Sequence, residues 1–152
     1  MRETFVFETL GKHRSRLLKL VEECSINKRS IVPEHFNNNL HWQIGHVLVM
    51  TEQLIFGLIN QNSALPVHYS KFFRSGTRPT DWEEDAPDWD LLVIQLKEQP
   101  DRIQERFQNK LEMPVKENFL KAECTEEVII SSVLHEVNHI GNISTMLKLL
   151  HV

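Results

Sequence analysis

A chain of 152 residues that is 41% hydrophobic, with only 5 Gly and 6 Pro, is long enough and apolar enough for one ordered domain with a real core. Its formal net charge of −4, with no Lys/Arg cluster interleaved with aromatics, argues against a nucleic-acid partner. No stretch approaches the ~18 uninterrupted apolar residues of a membrane span, and residues 1–24 mix apolar and charged positions, unlike a secretory leader.

Four helical patterns follow one another. The first covers residues 3–24, where Phe7, Leu10, Leu17, Leu20, Val21 and Cys24 recur at helical spacing. The second covers 38–60, with a stripe of Leu40, Ile44, Val47, Leu48, Leu54, Ile55 and Leu58. Asn37, Asn38 and Asn39 offer its N-cap, and His46 is expected on the flank of the stripe. The third covers 88–109. Leu92, Leu96, Ile103 and Phe107 keep one phase across Pro100, so one kinked helix is expected, with Asp88 as its cap.

The fourth helix is expected over 125–150, with Thr125 as cap and Glu126 and Glu127 at the positive helix end. Val128, His135, His139, Asn142, Met146, Leu149 and Leu150 share one side. Ile129, Val133, Val137, Ile140 and Leu147 share roughly the opposite side. A helix apolar on both sides needs cover on both. A second subunit would supply it and make a homodimer. The alternative cover is the long connection 61–87, whose Tyr69, Phe72, Phe73 and Trp82 imply that it packs on the helices.

No alternating β-branched run is long enough for a sheet. The expected fold is therefore all-α: a single domain over 1–152, an up-and-down four-helix bundle with a long crossover loop between helices two and three. Cys24 and Cys124 show no metal or redox spacing, and are read as reduced thiols of a cytoplasmic protein.

The most informative residues are His135 and His139. Four apart on a helix, they lie about 40° apart around the axis and one turn apart along it, so two imidazoles can grip one ion. Their side of the helix also carries Val128 and Met146, which argues against a mere surface pair. A catalytic divalent metal takes about three protein ligands and keeps an open position. His46 is the candidate third ligand, with Gly45 beside it to admit a close neighbour; the alternative role for His46 is a hydrogen-bonded core histidine. His41 is the rival ligand, expected to be exposed near the helix start. His13, His35, His68 and His151 have no partner at ligand spacing.

His135-Glu136-Val137-Asn138-His139 also fits H-E-x-x-H, in which the glutamate activates water. Against a peptidase, only 13 of the 152 residues follow His139, Asn142 stands where the extended motif has Gly, and no strand is available to align a peptide. A hydrolytic role for Glu136 stays open.

Trp42, the stretch Gln43-Ile44-Gly45-His46, and the stretch from His135 to Ile143 together resemble the DinB/YfiT-like superfamily. The loop from Tyr69 to Pro79, followed by Asp81-Trp82, is similar to that family as well, so the resemblance covers nearly the whole chain. It implies a four-helix bundle with a three-histidine metal site at His46, His135 and His139, in a bacterial cytoplasmic protein that is often a homodimer. It also implies chemistry with low-molecular-weight thiols such as bacillithiol or mycothiol.

The thiol chemistry is physically sound. A free thiol has a pKa near ~8.5 and is deprotonated outright when it coordinates a metal. Three neutral histidines leave the ion its full charge. Nitrogen ligands suit Zn, Ni, Cu or Fe, with Zn and Ni the first candidates.

The expected function is that of a metal-dependent thiol S-transferase joining a small-molecule thiol to an electrophilic substrate, with no nucleic-acid or membrane partner. The alternatives are a non-catalytic metal-binding stress protein of the damage-inducible type and a metal-dependent hydrolase. Whether the protein is an enzyme stays open between them.

Overall fold

The structure is a computed structural model that describes residues 1–59 and 62–151. Asn60 and Gln61, where the second helix was expected to end and the long connection to begin, lie outside the described residues, as does Val152 at the end of the expected domain. Among the described residues five α-helices form: α1 (Glu3–Glu22), α2 (Leu40–Glu52), α3 (Tyr69–Phe73), α4 (Trp89–Phe107) and α5 (Thr125–Leu149). The described residues contain no strand, only an isolated bridge between Pro114 and Cys124. Among them, no helix is long and apolar enough to cross a membrane.

Each long helix forms where its apolar phase demands burial, and the ends explain the departures from expectation. Asn39 caps α2 by accepting the Trp42 N–H at 2.8 Å. Apart from His41 and Met50, every residue of α2 is buried, so His46 lies in the interior and not on a flank. The helix does not run on regularly. It widens into a π turn over Gln53–Gly57, which lets Leu54, Ile55 and Phe56 all face inward.

α4 is one helix through Pro100, as its unbroken apolar phase predicts. Proline has no N–H for the carbonyl four residues back. That carbonyl, on Leu96, instead accepts a 2.7 Å hydrogen bond from Arg14 of α1. Asp88 takes the N-cap position of α4 through its backbone carbonyl, which accepts the Leu92 N–H, and its side chain makes no cap bond.

Thr125 is not the cap of α5. Cys124 is, because the Thr125 N–H and hydroxyl are both directed to the Met113 carbonyl at 2.9 and 3.3 Å. Glu126 N–H likewise reaches the Leu111 carbonyl, so the connection from α4 satisfies two of the orphan donors of the α5 N-terminus.

α1 packs on α4 and α5, and α2 packs on the same two helices. Two apolar clusters share the interior. One contains Leu17 and Val21 of α1, Ile44 and Leu48 of α2, Leu92 and Leu96 of α4, and Ile140 and Met146 of α5. The other contains Phe7 and Leu10, Ile55 and Phe56, Ile103 and Phe107, and Ile129 and Val133. Along α1 and α5 the second cluster comes first; along α2 and α4 the first does. The directions therefore do not alternate strictly: α2 and α4 run the same way.

The face of α5 expected to need a partner subunit is covered within the chain. Ile129 and Val133 sit in the cluster with Val6, Phe7, Leu10 and the π turn. Ile140 and Leu147 join Tyr69, Phe72 and Phe73 of α3, the short helix carried by the long connection. Leu149, expected to point inward, is 49% exposed.

Candidate metal centre

Between the clusters, each long helix places a polar residue in the phase of its apolar stripe: Arg14 on α1, Glu52 on α2, Gln99 on α4 and Glu136 on α5, all at most 2% exposed. Arg14 grips both carboxylate oxygens of Glu136, from Nε at 2.8 Å and Nη2 at 3.0 Å. The same Nη2 donates to Gln99 Oε1 at 3.0 Å, and Gln99 Nε2 donates to Glu52 Oε2 at 2.8 Å and to the Leu48 carbonyl at 3.0 Å. Arg102 completes this polar belt with two hydrogen bonds to the Glu52 carboxylate, at 3.1 and 2.8 Å.

On the α2–α5 side, next to the belt, three histidines converge. His46 Nε2 lies 3.3 Å from His135 Nε2, which lies 3.1 Å from His139 Nε2, and the ligand atoms of all three fall within 4.8 Å of one another. A tetrahedral ion with nitrogen bonds of ~2.0–2.1 Å sets its ligand nitrogens about 3.3 Å apart, so the spacing fits a shared divalent ion.

The far ring nitrogens decide which way the lone pairs point. His46 Nδ1–H donates to the Phe73 carbonyl at 2.6 Å. A carbonyl can only accept, so the proton is on Nδ1 and the Nε2 lone pair faces the centre. Gly45 makes this bond possible: a Cβ there would lie 2.3 Å from the Phe73 ring. The close neighbour that Gly45 admits is thus α3, not one of the long helices. Trp42 stacks on His46 with ring centroids 4.3 Å apart and planes 14° apart, and its indole N–H donates to Thr77 Oγ1 at 2.9 Å.

His139 Nδ1–H donates to Gln43 Oε1 at 2.7 Å, and Gln43 Nε2 is fixed in turn by Asn38 Oδ1 at 2.8 Å. His135 Nδ1 is buried without a partner, while its Nε2 faces the two inward lone pairs. Two lone pairs aimed at one point, with the third ring's Nε2 beside them, form a cluster suited to a cation.

Burial keeps these rings neutral, the form that ligates. It pulls His46 down to about 4, with His135 adding to the effect and the Phe73 hydrogen bond opposing it. Burial, then the neighbouring His46 and His135, pull His139 down to about 3. His135 is lowered by burial too, against the opposing charge of Glu136.

The remaining sequence candidates fall elsewhere. Glu136 follows His135 directly, but its carboxylate is committed to Arg14. His41 is not exposed: its Nε2 is 2.8 Å from the Pro87 carbonyl, and its ring lies among Phe73, Trp82 and Trp89. Neither it nor His13, His35, His68 or His151 joins the group of three. Cys24 and Cys124 are free thiols.

Sequence reasoning missed Gln43 and Phe73, which orient two of the three rings, and the belt. Gln43 sits one turn before His46 on α2, a signal that was available. Nothing local in the sequence points to the Phe73 carbonyl.

Comparison with known proteins agrees with this architecture. The crystal structure of a conserved protein from Enterococcus faecalis superposes with a TM-score of 0.68 over 98% of this chain and 97% of its own, at 16% identity, a likeness of fold. No curated protein matches the chain. The family model of the DinB superfamily matches residues 9–143, a span that includes all three histidines, and the chain accordingly belongs to the DinB superfamily.

Proposed function

We propose that His46, His135 and His139 hold one divalent transition-metal ion, Zn or Ni first, and that the protein is a metal-dependent thiol S-transferase. The scaffold in this reading is a four-helix bundle in which the connection that carries α3 crosses over between α2 and α4. The observation that carries the proposal is the convergence of three Nε2 atoms at 3.1 and 3.3 Å, with two of the rings locked as Nδ1–H tautomers.

When bound, the ion supplies positive charge that acidifies a coordinated thiol, whose free pKa is ~8.5. The chain's own part is orientation. Phe73 and Gln43 hold two ligand rings in place, and Trp42 closes one side of His46. Among the described residues, no fourth His, Cys, Asp or Glu belongs to the group. That favours an open coordination position, as a catalytic ion needs, over the closed site of a non-catalytic metal-binding stress protein. The commitment of Glu136 to Arg14 weighs against the hydrolase reading, which needs a free carboxylate as base.

Metal analysis of the purified protein should find up to one ion per chain, reduced in each of His46→Ala, His135→Ala and His139→Ala. Full metal content in all three variants would put the site elsewhere. Titrating 2-mercaptoethanol into the Co²⁺-loaded protein should raise a sulfur-to-cobalt charge-transfer band. A spectrum indifferent to thiol would remove the transferase reading and leave the stress-protein one.

A further inference from the structure

The polar belt lies beside the metal centre but supplies no ligand, and its placement raises the question of what it does. Apolar packing is non-directional and tolerates small slides of one helix along another. A metal site does not tolerate them, since ligand distances must hold within about 0.2 Å. A slip of one residue along a helix is ~1.5 Å, enough to take His46 out of reach of the other two rings. The site straddles α2 and α5, so its geometry depends on the axial register of those two helices.

The belt measures that register. Glu136 is the residue after His135 and three before His139, so holding Glu136 holds both ligands of α5. Arg14 fixes it through a two-pronged pair, in which each nitrogen meets its own oxygen. The Arg14 position is set in turn by the Leu96 carbonyl, free because of Pro100, and by Gln99. On α2, Gln99 takes hold of the Leu48 carbonyl, two residues after His46, and of Glu52, one turn further on. Gln99 thus joins the α1–α5 half of the belt to α2 with both ends of one side chain.

We infer that Gln99, together with the Arg14–Glu136 pair, is a positioning element for the metal centre, setting the α2–α5 register that brings His46 to His135 and His139. This rests on the metal-binding reading above. Its prediction is selective. Gln99→Met removes the link, yet Arg14 keeps Glu136 and Glu52 keeps Arg102, so no charge is stranded. Replacing the pair whole, Arg14→Met with Glu136→Met, likewise strands none, and such apolar replacements of buried pairs are tolerated.

The experiment titrates Co²⁺ into wild type and both variants, following the visible ligand-field spectrum, with circular dichroism and thermal melts as the check on folding. Both variants should melt cooperatively, bind Co²⁺ about 10- to 100-fold more weakly than wild type, and show an altered ligand-field spectrum. A purely structural belt would move the melting temperature and leave the cobalt affinity and spectrum at wild-type values, which would overturn the inference. Failure of both variants to fold would overturn it too, because the belt would then serve stability and not register. A wild type that binds no Co²⁺ would instead remove the metal reading itself, before any variant is compared.

Discussion

This protein holds two polar clusters side by side, one buried and one partly exposed, and they are built on opposite principles. In the belt every partner is supplied by the chain: each Arg14 nitrogen has an acceptor, and each oxygen of Glu52 and Glu136 has a donor. Its charges also cancel, Arg14 against Glu136 and Arg102 against Glu52. The histidine cluster has no such closure. Its outer nitrogens on His46 and His139 are bonded, its inner ones face one another, and His135 Nδ1 has no partner. A cluster that satisfies itself is a structural device, whereas one that aims lone pairs at a common point has the geometry of a binding site. Burial and polarity alone do not separate the two; the direction of the protons does.

The largest expected effect comes from opening the closed cluster. Arg14→Met leaves the Glu136 carboxylate almost wholly buried, at 1% exposure, without its counter-ion. Breaking such a pair from one side costs about 3–5 kcal/mol, a large share of a typical domain's stability. Urea denaturation should report that loss. A cost below about 1 kcal/mol would mean that Glu136 finds water or another donor, and the contrast between the clusters would be weaker than drawn.

A smaller effect is expected where the histidine cluster leans on α3. Gly45→Ala drives a methyl group into the Phe73 ring, and overpacking of this kind costs about 1–3 kcal/mol. Because the Phe73 carbonyl orients His46, metal affinity should fall together with stability. Gly141→Ala is the control. It lies on α5 beside the histidines but meets nothing within 4 Å, so it should gain the ~0.5–1 kcal/mol of an ordinary helical Gly→Ala change and bind metal normally. Equal behaviour of the two variants in denaturation and metal titration would remove Phe73 from the site.

Much of this was legible in the sequence, for physical reasons. Helical phase located the long helices, including the run of α4 through Pro100, because burial of a stripe overrides a single missing N–H. The His135–His139 spacing picked out two members of the group of three, and Gly45-His46 marked the third, although His46 was expected on the flank of the stripe and lies in the interior. The belt was written in the same phases: Arg14 stands between Leu10 and Leu17, Gln99 between Leu96 and Ile103, Glu136 between Val133 and Ile140. A charged or amide residue in such a register implies a buried partner, but the partner's identity depends on which helices meet.

What could not be read is non-local. The approach of Phe73 to Gly45, the packing of His41 against Trp82 and Trp89, and the shared direction of α2 and α4 arise from tertiary placement. The π turn escaped because apolar residues continue across Gln53–Gly57 in a pattern an α-helix would also show.

The last expected effect separates the histidines from Glu52 by pH in the metal-free protein. His46 and His139 are held neutral in the fold, at about 4 and about 3, against 6.5 for a free histidine. Below 6.5 the unfolded chain takes up protons that these buried rings refuse. The stability tied to them is therefore complete above pH 6.5 and declines as pH falls toward 4 and then 3. His135 and His41, lowered by burial as well, act in the same direction. Glu52 behaves differently. Burial would raise its pKa, but the hydrogen bonds from Arg102, Gln99 and the Ala64 N–H outweigh burial and lower it. Its contribution holds above its ordinary 4.5 and is lost only as pH falls below that, through the lowered folded value. Between about pH 7.5 and 5 Glu52 should thus be silent while the histidines act. Thermal melts of metal-free protein across that window should show falling stability in wild type and a flatter profile in a His46→Gln, His139→Gln double variant, with His135 and His41 retaining part of the slope. Identical slopes in the two proteins would mean that the converging rings already share protons in the fold. The separation of a closed cluster from one that awaits a cation would then have to be redrawn at His135.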